Sequence, residues 1–246
     1  MGVMLTGSEG MIGSNLKELL PPMLCPTHEE LDLTDTEKTK KYLQDNKPDK
    51  IIHCASNDSN DCLFANLKMF ANLADSHIPM ITFCTGLETE NRVGKSGQYV
   101  MSKSIIKELA LRKYNHILMI KLWGCFGKYE KPIRFFTDNF NRVKKGEPIF
   151  VRKDKFFSYV YVKDLAKIIK NTPVVNKLYN IVAYTRSLYE YALLIKRVTG
   201  SDGQIEIGGY DFNHSYMGRN DFDFEYTDLE EAIKELWSDF NTNTST

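Results

Sequence analysis

Two rhythms of apolar residues alternate along the first half of the chain. Short apolar runs at Val3–Leu5, Ile51–Cys54, Met80–Cys84 and Ile117–Leu122 have the length of buried parallel strands. Between them, apolar positions recur at helical spacing in Leu16–Leu20, Glu37–Asn46, Leu63–Ser76 and Ser102–Tyr114. Alternating strand and helix segments predict an α/β fold with a doubly wound parallel sheet, whose ligand crevice lies beyond the carboxyl ends of the strands. Gly7, Ala55, Thr85 and Gly124 fall at those ends.

After about Lys131 the alternation weakens, and aromatic and charged residues mix: Phe135, Phe136, Phe140, Phe156, Phe157, Tyr159 and Tyr161. The pattern predicts a Rossmann-type core over residues 1–130 and a smaller, mainly substrate-binding lobe over residues 131–246, with residues of about 155–185 returning to the core. The aromatic cluster reads first as core, since rings bury large apolar areas. Ala232, Ile233, Leu236 and Trp237 give residues 230–237 an inward face and predict a terminal helix. The polar tail, residues 241–246, is expected to fray.

Composition narrows the function classes. A chain of 246 residues with 42% hydrophobic residues buries about 70% of its unfolded surface and needs no metal or disulfide to fold. Zero formal net charge argues against nucleic acid or an anionic membrane as partner. Cys25, Cys54, Cys62, Cys84 and Cys125 lack any Cys-x-x-Cys pair and read as buried thiols of a reducing compartment. His53, His77 and His116 have no ligand partner at metal spacing, so no metal is expected. No apolar run approaches the roughly 20 residues of a membrane helix, and the first strand begins at once rather than after a signal peptide. A cytoplasmic location is the resulting expectation.

Two motifs carry chemistry. The first strand runs into Thr6-Gly7-Ser8-Glu9-Gly10-Met11-Ile12-Gly13. There Gly7 permits a tight turn, Gly10 lets a pyrophosphate approach the backbone, and Gly13 lets the next helix pack close. The helix N-terminus then offers free amides and its dipole to the diphosphate of a dinucleotide. The second motif is Tyr99-Val-Met-Ser-Lys103, whose Tyr and Lys share a helix face. A phenol with a pKa of about 10 is a poor base at neutral pH, so a neighbouring ammonium is needed to stabilise its phenolate.

Together with residues 31–35, 48–56, 121–127 and 159–164, and with Asn66 heading a helix, these motifs resemble the extended short-chain dehydrogenase/reductase superfamily. The likeness is to its nucleotide-sugar epimerase, dehydratase and reductase branch, near GDP-fucose synthase and 4-keto-sugar reductases, and it spans nearly the whole chain. It implies an NAD(P)-dependent enzyme acting on a nucleotide-activated sugar. Tyr99 would exchange a proton with a sugar oxygen while a hydride moves at the nicotinamide, Lys103 would also hold the nicotinamide ribose, and Thr85 would orient the substrate oxygen. Ser102, inside the motif, reads as a helix-surface hydroxyl. The cofactor set implied is Gly7, Ser8, Gly10, Met11, Ile12, Gly13, His28, Asp32, Leu33, Cys54, Ala55, Ser56, Lys103 and Gly124, with Asp32 and Leu33 under the adenine. Relatives dimerise through two helices, here Leu63–Ser76 and Ser102–Tyr114, so a homodimer is expected.

Departures from that pattern select among reactions. Gly86 and Leu87 stand where dehydratases carry an Asp-Glu pair, and Leu87 replaces the Cys of the 3,5-epimerisation, so simple reduction of a 4-keto sugar fits best. A nucleotide-sugar epimerase with tightly bound NAD is the alternative, and a non-catalytic dinucleotide-binding regulator is the alternative of another class. His28 stands where the GDP-fucose synthase pattern has Arg, which favours NADP over NAD. Phe157 replaces a diphosphate-binding Arg of the pattern, and Arg142, Lys144, Lys145, Arg152 and Arg219 are candidates to compensate. The stretch from Thr85 to Tyr99 is shorter than the pattern.

Overall fold

The computed structural model describes residues 2–59, 61–90 and 97–243. Six of the residues between Thr85 and Tyr99, residues 91–96, and the last three of the tail lie outside these. Strand β1 (Val3–Thr6) leads through the glycine turn into helix α1 (Met11–Leu19). Helix α2 (Thr36–Asn46) follows, opened by Asp35, whose side chain accepts from Lys38 N and satisfies an end amide. Strand β2 (Lys50–His53), helix α3 (Leu63–Ala74), strand β3 (Met80–Thr85), helix α4 (Gly97–Lys113) and strand β4 (Ile117–Leu122) complete the alternation.

These four strands, joined by β8 further on, form one parallel sheet in the order β1-β2-β3-β4-β8. This is a Rossmann-type α/β architecture. On the other side of β1 a single bridge joins Met4 to Leu24 in parallel, with Leu5 N donating to Leu24 O. The chain therefore leaves β1 on one side through Leu24 and on the other through β2. Such a reversal is where open α/β sheets hold ligands.

Strand side chains alternate between two cores, as the pleat requires. Leu5, Ile52, Ile81, Phe83, Leu118 and Ile120 face the layer that contains Leu16 of α1. Met4, Ile51, Met80, Cys84, Ile117 and Met119 face the layer of α2, α3 and α4, with Leu43, Phe70, Leu73 and Ile106. Phe70, an interface candidate from the sequence, is thus wholly buried against the sheet, whereas Phe64 is 76% exposed.

The second half is more regular than its sequence suggests. It contains β5 (Cys125–Phe126), α5 (Phe135–Lys144), β6 (Ile149–Val151), β7 (Phe156–Tyr161), α6 (Val162–Asn171), β8 (Lys177–Ile181), β9 (Tyr184–Ser187), α7 (Leu188–Thr199), β10 (Ile205–Ile207) and α8 (Leu229–Asn243). Two small sheets, β5-β7-β9 and β10-β6, carry the lobe, while β8 pairs with β4 in the main sheet. Strands of two to six residues give period-2 patterns too short to read against the aromatic background. Those aromatics are largely core: Phe126, Phe136, Phe140 and Tyr161 are buried, and Phe126 stacks on Tyr161 at 5.2 Å. On α8, Ala232, Ile233 and Leu236 are buried and Trp237 packs on Phe140.

Candidate active site

The glycine turn divides its glycines by cause. Gly7 has φ +69°, and a Cβ there would lie 2.5 Å from Ala55 N. A Cβ on Gly13 would lie 2.0 Å from Gly7 O. Packing alone therefore demands glycine at both positions. A Cβ on Gly10 would meet only Gly7 O, at 3.4 Å, an ordinary contact. The protein leaves open space there, at the N-cap of α1, where no side chain caps the helix. Buried His53, pushed down to about 3 by burial and then by Lys103, bonds Thr6 Oγ1 at 2.8 Å and ties the ends of β1 and β2 together.

Two cavities flank this turn. The smaller, about 100 Å³, is lined by Thr6, Gly7, Ser8, Glu9, Pro26, His28, Leu31, Leu33, Ala55 and Met69. The larger, about 480 Å³, is walled by Met11 and Ile12 of α1 on one side. Thr85, Tyr99, Trp123, Arg134, Lys155, Phe157 and Tyr216 line it elsewhere. Of the residues that the resemblance assigns to a cofactor, Asp32 is not among those lining the smaller cavity, and its Oδ1 accepts from Thr34 N and Oγ1, both at 2.8 Å. Those bonds hold its carboxyl below the usual range. Cys54 is half-buried behind Ala55, and Ser56 is exposed. Gly124 has a packing cause, since its Cβ would lie 2.6 Å from the Tyr159 ring.

Tyr99 and Lys103 stand one turn apart on α4, with Lys103 Nζ 5.7 Å from the centre of the Tyr99 ring. The expected lowering of the phenol pKa is absent: burial, then the neighbouring Cys84 and Asp58, pushes Tyr99 up to about 12. Burial likewise pushes Lys103 down. Among the described residues no hydrogen bond or ion pair reaches Lys103 Nζ, although Lys103 is only 7% exposed. A buried ammonium without an acceptor is costly, and an oxygen-bearing ligand beside Lys103 would offset that cost.

Ser102 is not the surface hydroxyl its position suggested; it is buried, accepts from Asn66 Nδ2 at 3.1 Å and donates to Tyr99 O at 2.7 Å. Asn66, in the first turn of α3 rather than at its head, also exchanges two hydrogen bonds with the backbone of Asn57. The loop after β2, α3 and α4 are thereby fixed to one another.

Thr85, at the end of β3, is buried, and its Oγ1 accepts from Leu87 N at 3.2 Å. The nearest carboxylate downstream, Glu88, pairs with Lys121 at 2.6 Å and Lys107 at 2.9 Å. Burial works to raise it, but these two lysines outweigh burial and keep it ionised. It does not line the cavity.

Among the described residues the cations at the larger cavity are Arg134 and Lys155, neither reached by sequence reasoning, whereas Arg142, Lys144, Lys145, Arg152 and Arg219 do not line it. Arg142 instead pairs with Asp138 at 3.2 Å. Arg134 is the N-cap of α5, and Tyr216 comes from a loop near the end of the chain. No local signal in the sequence marks either.

The fold is an α/β architecture of the Rossmann type, and comparisons with known proteins agree on that fold. Residues 1–64 match the family described as the RmlD substrate binding domain. Comparison with curated protein sequences finds no match. Among solved structures, the chain is similar to a GDP-L-fucose synthetase from Naegleria fowleri bound to NADP, with TM-score 0.86, 16% identity and coverage of 99% of this chain and 94% of that one. It is also similar to a UDP-glucose 4-epimerase from Thermotoga maritima with UDP-glucose, with TM-score 0.79, 17% identity and full coverage of both chains. A GDP-mannoheptose C4 reductase from Campylobacter jejuni with NADP bound gives TM-score 0.74, 14% identity and 98% coverage of each chain. At these identities the shared property is the fold.

Proposed function

We propose that this chain is an NAD(P)-dependent oxidoreductase that reduces the 4-keto group of a nucleotide-activated sugar. The observation that carries the reading is the meeting of Thr85 and Tyr99 in one cavity beside the bare N-terminus of α1, with the unpartnered ammonium of Lys103 one turn from Tyr99. The open space at Gly10 and the two flanking cavities fit a dinucleotide whose diphosphate crosses the turn. The bound cofactor supplies the hydride. Thr85 orients the carbonyl oxygen, Tyr99 gives that oxygen a proton, and Lys103 offers its ammonium to ribose hydroxyls and to the phenolate left behind. C=O thus becomes CH–OH, with the hydride delivered to carbon and the proton to oxygen.

Burial, which raises the Tyr99 phenol to about 12, keeps it protonated at neutral pH, the state a proton donor needs. Glu88, locked by two lysines, leaves elimination of water without a free carboxyl. Arg134 and Lys155 supply positive charge for the substrate's diphosphate in place of the Arg that the family pattern has at Phe157. His28 in the smaller cavity supports NADP, although Glu9 lines the same space.

The same reading includes a nucleotide-binding core over residues 1–130, a mainly substrate-binding lobe beyond it, and a homodimer formed through α3 and α4, where Phe64, Met101 and Leu109 are exposed. Five free cysteines support a cytoplasmic setting. Among the described residues no helix is long and apolar enough to cross a membrane.

The test is loss of NADPH absorbance with a panel of nucleotide-linked 4-keto-6-deoxysugars. Wild type is expected to consume NADPH with at least one, and Tyr99→Phe to lose about 10²- to 10⁴-fold in kcat while still binding NADPH. Interconversion of unmodified nucleotide sugars without NADPH loss would establish the epimerase instead. A monomer by light scattering would remove the dimer.

A further inference from the structure

Tyr216 is far from every motif in sequence, yet both its backbone and its ring are held at the cavity. Tyr216 N donates to Phe156 O and Ser158 N donates to Tyr216 O, both at 2.8 Å, so its backbone runs along β7. Gly218 N adds a bond to Ser158 Oγ at 3.0 Å. The Tyr216 ring is 4% exposed and packs on Phe157 at 4.9 Å and on Trp123 at 5.1 Å. Its loop can lie this close only because residue 218 is glycine, whose Cβ would otherwise stand 2.0 Å from Trp123 Nε1. So held, the phenol oxygen lies 3.3 Å from Thr85 Oγ1.

The hydrogen-bond capacity of Thr85 decides what this contact does. A threonine hydroxyl has two acceptor lone pairs and one proton. Leu87 N already fills one lone pair. We propose that Tyr216 is a positioning residue of the active site, which donates to Thr85, fills its second lone pair and so commits the Thr85 proton to the carbonyl oxygen of the substrate.

The inference rests on the keto-reduction reading and deepens it. With Thr85 presented only as a donor, the site prefers an oxygen that accepts, a ketone, over a hydroxyl that must donate. Tyr216 itself transfers no proton; the proton that ends on the product comes from Tyr99. With the opposite polarity, Thr85 would spend its proton on Tyr216 and could not donate to the substrate oxygen.

A double-mutant cycle separates these cases. NADPH consumption is measured with the best 4-keto sugar for wild type, Tyr216→Phe, Thr85→Ala and the double variant, alongside thermal unfolding and fluorescence titration of NADPH. Tyr216→Phe keeps both ring contacts. It is expected to lower kcat about 10-fold, a fraction of what loss of a direct donor to the oxyanion costs, with KM, NADPH affinity and unfolding midpoint unchanged. On the Thr85→Ala background the same change is expected to have no effect. An unaltered kcat for Tyr216→Phe in an active enzyme, or an equal loss on both backgrounds, would overturn the relay while leaving the reductase in place. A wild-type chain inert toward every 4-keto sugar overturns the proposed reaction and this inference with it.

Discussion

Glu130 carries the clearest conflict between a side chain and its surroundings. Its carboxylate is 1% exposed, accepts from Thr137 N and Oγ1 at 3.3 and 3.1 Å, and stands 3.8 Å from Arg134 Nε. Burial pushes its pKa from 4.5 up to about 7, against the pull of Arg134 and Thr137. The folded state therefore binds this proton more tightly than the unfolded chain does. The stability it contributes is complete below the unfolded pKa and is lost as pH rises through about 7. The unfolding midpoint of wild type is expected to fall between about pH 5 and pH 8, and Glu130→Gln, which stays neutral, to flatten that slope. Calorimetry across a buffer series reads both, and an unchanged slope in the variant would remove Glu130 as its source. Because Arg134 lines the cavity, the same titration alters the charge balance that an anionic substrate meets.

At the scale of elements, the β1–α1 turn separates folding from binding within a few residues. Gly13→Ala drives a methyl into Gly7 O and is expected to cost about 1–3 kcal/mol of stability by overpacking. Gly10→Ala meets only an ordinary contact, so its stability should match wild type while NADPH affinity falls. Urea unfolding and fluorescence titration on the two variants give this crossed result if Gly10 is reserved for a ligand; equal affinities for Gly10→Ala and wild type would show that it is not. Helix α4 is held in a comparable way, since Ser102 and Asn66 fix it to α3 through buried bonds rather than by exposed polarity.

Across the whole molecule, the larger cavity takes residues from both halves of the chain: Met11, Ile12, Thr85 and Tyr99 from the first, Arg134, Lys155, Phe157 and Tyr216 from the second. Strand β8 carries the second half back into the main sheet beside β4. A ligand spanning the turn therefore stabilises the chain as one unit. NADPH at about 100 times its Kd should add about 2.7 kcal/mol to the unfolding free energy. A smaller upward shift with NADH at equal concentration would support NADP as the cofactor, and no shift with either would exclude a preformed dinucleotide site.

The sequence by itself determined whatever depends on neighbours along the chain. Short apolar runs and period-3.6 patterns mark the strands and helices of the first half, because each element shows its burial in its own residues. Gly7 and Gly13 are legible because a tight turn against a helix excludes a Cβ, and Tyr99 and Lys103 because four residues make one helical turn. Only the tertiary structure decided contacts between distant segments. Tyr216 meets Thr85 across 131 residues, and Arg134 and Lys155 arrive from the lobe. The sign of the Tyr99 shift also belongs there, since the burial that raises the phenol exists only once the sheet, the helices and the lobe have closed around it.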